Sequence, residues 1–155
     1  MICCNMICYN VIRGVNMDIN SLDRFLEAQE RMYETALKEI KNGKKKTHWM
    51  WYIFPQLRGL GKSRMSYVYG INGIEEARVY LKHPVLSARL IEITEALLTH
   101  KGKDIYDIMG EIDAMKLQSS MTLFALASEE YSLFHQVLDC FYNGEFDLQT
   151  IKLIT

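Results

Sequence analysis

The stretch Glu111-Ile-Asp-Ala-Met-Lys-Leu-Gln-Ser-Ser-Met-Thr-Leu-Phe-Ala-Leu-Ala127 decides the fold class. Its apolar residues, Ile112, Met115, Leu117, Met121, Leu123, Phe124 and Leu126, fall on more than one side of a helix. Such a helix is expected in the middle of the molecule. The same segment carries polar groups in step: Asp113, Lys116 and Ser120 stand at i, i+3 and i+7, with Ser119 and Thr122 close by. A carboxylate, an ammonium and hydroxyls therefore share one face. Charged groups on a helix destined for burial are costly unless they pair or meet a polar ligand. Either an Asp113 to Lys116 pair locks the helix while the serines bond back to carbonyls, or the stripe faces a ligand.

Outward from this helix, the chain keeps the helical rhythm. Asn20 or Ser21 can cap a helix whose apolar positions Leu22, Phe25, Leu26, Tyr33, Ala36, Leu37 and Ile40 recur at i, i+3, i+4, and Gly43 stops it. Glu75 and Glu76 sit in the favourable first turn of a helix from Ile74 to Lys82. Pro84 opens the next, Pro84 to His100, which His83 can cap and Gly102 closes. A short helical turn at Ile105 to Met109 ends at Gly110. Tyr131 to Tyr142 reads as a further amphipathic helix, and Asp147 caps a last turn through Leu153. Ser66 to Ile71 has β-like composition but is short. The expected fold is all-α, mainly helical, with at most a marginal strand pair, in a single compact domain over residues 17–155.

Residues 1–16 form an N-terminal extension, or a short strand built from Ile2, Ile7, Tyr9, Val11 and Ile12. They make a poor signal peptide. Cys3, Cys4 and Cys8 lack a zinc spacing, so no metal is expected, and no cofactor either. A chain of 155 residues with 49% hydrophobic and 24% charged residues has the balance of a soluble globular protein, with no apolar run long enough to span a membrane. A reduced, cytoplasmic setting is the default.

The second informative stretch is His48-Trp-Met-Trp-Tyr-Ile-Phe-Pro-Gln-Leu-Arg-Gly-Leu-Gly-Lys-Ser63. The rings of Trp49, Trp51, Tyr52 and Phe54 run into a loop holding Gln56, Arg58, Lys62 and Ser63. Residues 40–74 contain Lys41, Lys44, Lys45, Lys46, Arg58, Lys62 and Arg64 but no Asp or Glu, in a chain whose net charge is -1. Flat rings beside cations and loop amides suit a ligand with a ring and an anion. A solvated basic face with core-filling aromatics is the plainer alternative. Gly61-Lys62-Ser63 is not a P-loop, because Gln56 stands where that motif needs its first glycine. No Ser-His-Asp order, HExxH or closely paired glutamate motif identifies a hydrolase.

Taken together, His48 to Gln56, Gly59 to Ser63, Glu76-Ala77, Tyr80-Leu81, His83-Pro84, Arg89-Leu90 and Asp113 to Phe124 resemble an uncharacterised domain-of-unknown-function family, numbered eighteen-ten and sometimes called calpastatin-like, a label no residue here supports. The likeness runs from about Leu22 to Leu153. It implies a compact, mainly helical single domain and no established activity.

From the residues, the aromatic loop and the polar stripe are expected to form two walls of one pocket for an anionic small molecule bearing a base, a nucleotide or an ADP-ribose or NAD derivative. Trp49, Trp51 or Tyr52 would stack, with Phe54 beside them, and Gln56 would read a base edge. Arg58, Lys62 and Ser63 with the loop amides would meet phosphate, and Asp113, Ser119 and Ser120 would take sugar hydroxyls, with Thr122 adjacent. A binder that sequesters a nucleotide signal needs no more. An enzyme cleaving an N-glycosidic or phosphoester bond would use Asp113, Lys116 or His48. A single-stranded nucleic-acid binder would use the same cations and rings as an open surface.

Overall fold

Nine helices follow one another over residues 18–155, which the computed structural model describes. The extension or strand expected over residues 1–16, with its three cysteines, lies outside the described residues. Helix α1 (Asp23–Lys41) buries Phe25, Tyr33, Ala36, Leu37 and Ile40, as its apolar rhythm requires. Its start uses Ser21, whose Oγ accepts the Asp23 N–H at 3.2 Å. At its end Gly43 adopts φ 76°. There the Gly43 N–H reaches the Ile40 carbonyl at 2.9 Å and the Lys44 N–H the Glu39 carbonyl at 3.1 Å, a paired closure that a side chain at residue 43 would strain.

A single turn, α2 (Met50–Ile53), and the short α3 (Arg64–Val68) follow. Then come α4 (Ile74–Lys82), α5 (Pro84–Leu98), α6 (Ile105–Met109), α7 (Glu111–Ala127), α8 (Leu133–Phe141) and α9 (Leu148–Ile154). The expected start signals operate as side-chain chemistry. His83 Nδ1 accepts the Val85 and Leu86 amides ahead of α5, and the Asp147 carboxylate accepts the Thr150 amide ahead of α9.

The stretch Ser66 to Ile71, β-like in composition, begins in a helical turn. Met65 and Val68 are buried three apart while Tyr67 is exposed, so helical spacing outranks β-like composition, and Ser63 Oγ caps the turn by accepting the Ser66 amide. What remains of a strand pair is one isolated parallel bridge between Leu57 and Ile71.

Helix α7 packs against α4, α6, α8 and α9, and α5 against α1, α4 and α8. Leu117, Met121, Leu123 and Phe124 of α7 are fully buried. Its first two turns differ from the expectation of burial on every side. Ile112 is 70% exposed and Met115 63% exposed, because only the Ala114 and Leu117 side is covered there. Arg24 is buried too, and its guanidinium ties α1 to the Val68 and Gly70 carbonyls, both at 2.9 Å, and to Glu76 of α4 at 2.7 Å. The buried side chains form one cluster.

Candidate functional site

The basic joint after α1 is gripped by one carboxylate. Glu39 accepts the Lys46 amide at 2.7 Å, the Thr47 amide at 3.0 Å, the Thr47 hydroxyl at 2.6 Å and the Trp49 indole N–H at 3.0 Å. Burial pushes its carboxyl up, but these bonds outweigh burial and hold it below the ordinary glutamate value. The grip turns Trp49 inward, where it is fully buried against Phe54, with ring centroids 6.1 Å apart. Tyr52 is equally buried, edge-on to Tyr69 at 5.3 Å, and its carbonyl accepts from Gln29. The stacking role expected of Trp49 and Tyr52, and a place beside it for Phe54, are thereby corrected: all three rings are core.

Trp51 behaves otherwise. It is half-buried and lines an open cleft of about 450 Å³ together with Lys45, His48, Gly110, Ile112, Asp113 and Lys116. Lys45, whose side chain is 5% exposed, reaches Asp113 Oδ2 at 2.8 Å, while Lys116 Nζ stands 3.9 Å from the other oxygen of Asp113. Lys116 Nζ also lies 5.3 Å from the centroid of the Trp51 ring. The expected Asp113 to Lys116 pair is thus present, and Lys45 completes it. Helix α7 enters the cleft at its amino end, where Gly110 has φ 83° and no side chain among the described residues caps the first-turn amides. The indole N–H of Trp51 is buried without a partner among the described residues. A slot of about 10 Å³ beside this ring, lined also by Gln56, Gly61 and Ser66, has room for about one water.

A second cleft, about 300 Å³, shares Ile112 and Lys116 with the first. Gln56, Gly61, Ser119, Asp147 and Gln149 also line it. Gln56 donates to the Lys116 carbonyl at 3.1 Å, which joins the aromatic loop to α7. Ser119 donates to Asp147 Oδ2 at 3.0 Å, and Thr122 Oγ1 accepts the Asp147 amide at 2.8 Å, so these two hydroxyls fasten the start of α9. Ser120 is fully buried with its hydroxyl unpartnered among the described residues, out of reach of a ligand in either cleft.

The structure therefore brings together Trp51, Gln56, Asp113, Lys116, Ser119 and His48 out of the expected two walls. It does not bring Arg58, Lys62 or Ser63 into either cleft. Arg58 spends its donors on the Tyr67 and Ile19 carbonyls at 2.9 and 2.8 Å, Ser63 caps α3, and Lys62 is exposed. Sequence reasoning misses Lys45, Asp147 and Gln149 as wall residues. Asp147 is legible only as a cap, and Lys45 only as one of three consecutive lysines. Among the described residues no three His, Cys, Asp or Glu side chains gather to hold a metal, and no helix is long and apolar enough to cross a membrane.

Fold and site together define an all-helical protein with paired surface clefts at the amino end of its central helix. The chain belongs to the protein family of unknown function DUF1810, whose model matches residues 19–154. It is similar to the conserved hypothetical protein Rv1873 from Mycobacterium tuberculosis, known from a crystal structure at 1.38 Å: 43% identity, TM-score 0.85, covering 88% of this chain and 98% of that one. No curated protein matches.

Proposed function

We propose that the cleft beside Trp51 binds a small anionic ligand bearing a flat ring, a nucleotide or an ADP-ribose or NAD derivative, and that the protein holds this ligand rather than transforming it. The observation that carries the reading is the approach of Lys116 Nζ to the Trp51 ring beside the uncapped amino end of α7. A group drawn to that ammonium and a ring laid against that indole belong to one molecule. The formal charges of the cleft balance, since Glu111 lines it beside Asp113, Lys45 and Lys116. Preference for an anion therefore rests on the helix terminus and on the position of Lys116.

Cleavage is the less favoured reading, because Asp113, its candidate base, has one oxygen on Lys45 and the other near Lys116. Single-stranded nucleic-acid binding loses Trp49, Tyr52 and Phe54 to the core, which leaves too little open ring surface in this stretch. Thermal unfolding and calorimetric titration with ADP, ADP-ribose and NAD test the proposal. A ligand present at about a hundred times its Kd stabilises the fold by about 2.7 kcal/mol. The expected result is such a stabilisation, reduced by about half in Lys116→Met, whose affinity falls about tenfold, and reduced likewise in Trp51→Ala, with the ligand recovered intact. Absence of any shift with all three compounds overturns the proposal, and recovery of cleaved ligand turns it into the enzyme reading.

A further inference from the structure

Helix α7 divides its surface between two clefts, and Lys116 and Ile112 line both. A ligand whose anionic group sits at Lys116 therefore has somewhere to continue. The second cleft is chemically unlike the first: no ring lines it, and beside the shared Lys116 its polar side chains are the amides of Gln56, Gln118 and Gln149, the Ser119 hydroxyl and the Asp147 carboxylate. Asp147 is half-buried at its edge. Its Oδ2 accepts from the Ser119 hydroxyl at 3.0 Å, the Thr150 amide at 3.1 Å and the Thr150 hydroxyl at 2.6 Å, so the carboxylate is held in one orientation. Those bonds all fall on Oδ2, and Oδ1 is outside the network. Gln56 is fixed through its amide nitrogen on the Lys116 carbonyl, which leaves its oxygen to accept. Gln149 is exposed on the same wall, and Leu60 and Met115 supply apolar contact.

Oriented acceptors beside an apolar face recognise vicinal hydroxyls, which present O–H donors on one side and C–H surface on the other. We infer that the second cleft is a subsite for a polyhydroxyl group, so that the ligand is a nucleoside diphosphate extended through its diphosphate by a ribose or other sugar. This rests on the binding reading above and narrows it: ring at Trp51, diphosphate at Lys116 and the α7 amino end, sugar at Asp147 and Gln149. It also moves the hydroxyl-binding role from Asp113 and Ser120, which are paired and buried respectively, to the start of α9.

Calorimetric titration of the full chain with ADP and with ADP-ribose separates the two levels, since these probes differ by the terminal ribose and the charge of the phosphate that bears it. Two added hydrogen bonds correspond to about tenfold in affinity. ADP-ribose is expected to bind about tenfold more tightly than ADP. Gln149→Ala, a change at an exposed position that removes one of the two bonds, lowers that ratio to about threefold, and Asp147→Asn, which keeps an oxygen at the helix cap, lowers it as well. If ADP binds and ADP-ribose binds no better, the polyhydroxyl subsite is wrong while the ring-and-anion cleft stands. The subsite is equally wrong if the wild-type ratio survives in both variants. If neither compound binds, the cleft reading itself fails and takes the subsite with it.

Discussion

Trp49 and Trp51 are two residues apart and do opposite things. Trp49 is fully buried, with its N–H on Glu39 and its ring on Phe54, while Trp51 is half-buried, with its N–H unpartnered among the described residues and its ring beside Lys116. The local backbone and one carboxylate make the split. Trp49 precedes the turn, with φ -138° and ψ 5°, and Glu39 holds its indole inward, whereas Trp51 is the one residue of Met50–Ile53 that is not buried. A run of aromatic residues is therefore not one feature but two, and only one of its faces is free to do chemistry. What selects the face is Glu39, ten residues earlier, through the bonds it makes to Thr47 and Trp49.

The largest expected effect belongs to the buried member. Trp49→Ala removes a core ring and leaves Glu39 short of a donor, and large-to-small core changes of this kind cost about 3–5 kcal/mol. Urea denaturation should show that loss, and a cost below that of Trp51→Ala would break the assignment of core and cleft. Glu39→Gln comes next, at about 1–3 kcal/mol at neutral pH, since it weakens four hydrogen bonds at once. Its pH dependence is specific. The folded carboxyl titrates below its unfolded value, so its contribution is complete above the unfolded glutamate pKa of about 4.3 and is lost as pH falls through the folded value. The gap between wild type and Glu39→Gln should be widest at neutral pH and close in acid, and a gap constant from neutral pH into acid would show that the grip is not ionic.

Much of the fold was legible because helix boundaries are written locally. Gly43, the His83-Pro84 pair, Gly110 and Asp147 each stop or start a helix through contacts within a few residues. The β-like stretch Ser66 to Ile71 shows the limit of composition, since burial of Met65 and Val68 decides that turn. Arg24 shows another: an arginine on an amphipathic helix reads as solvent-facing, but two of its carbonyl partners, Val68 and Gly70, lie more than forty residues away. The site was half legible. Spacing put Asp113, Lys116 and Ser120 on one face with Ser119 beside them; Ser120 is buried away from both clefts, while Asp113, Lys116 and Ser119 line them. Their partners Lys45 and Asp147 come from segments whose approach to α7 depends on tertiary packing.

Changes on the cleft side should separate binding from stability. Trp51→Ala is expected to cost roughly 1–2 kcal/mol, less than its buried neighbour, because only part of the ring is removed from water. Lys116→Met is expected to alter stability by no more than about 0.5 kcal/mol, its ion pair with Asp113 being partly exposed and 3.9 Å long. It should nevertheless weaken ADP binding about tenfold, the loss of one charge-assisted contact. Equal losses of stability and affinity in Lys116→Met would mean that the residue holds the helix rather than the ligand.

The smallest expected effect is the most discriminating. Lys62 follows Gly61 in the loop whose sequence suggests phosphate binding, and a reading from the motif makes it a principal contact. In the structure it is exposed and outside both clefts, whereas Gly61 lines the second. Lys62→Ala should leave stability within about 0.5 kcal/mol of wild type, as exposed substitutions usually do. It should leave ADP affinity within about twofold at moderate salt, where an exposed charge that does not contact the ligand is largely screened. A tenfold loss in Lys62→Ala, with Lys116→Met unaffected, would move the anion from the end of α7 to the glycine loop. The division between the two tryptophans would survive that result, because it rests on Glu39 and the core, but Trp51 would then face a ligand approached from its other side.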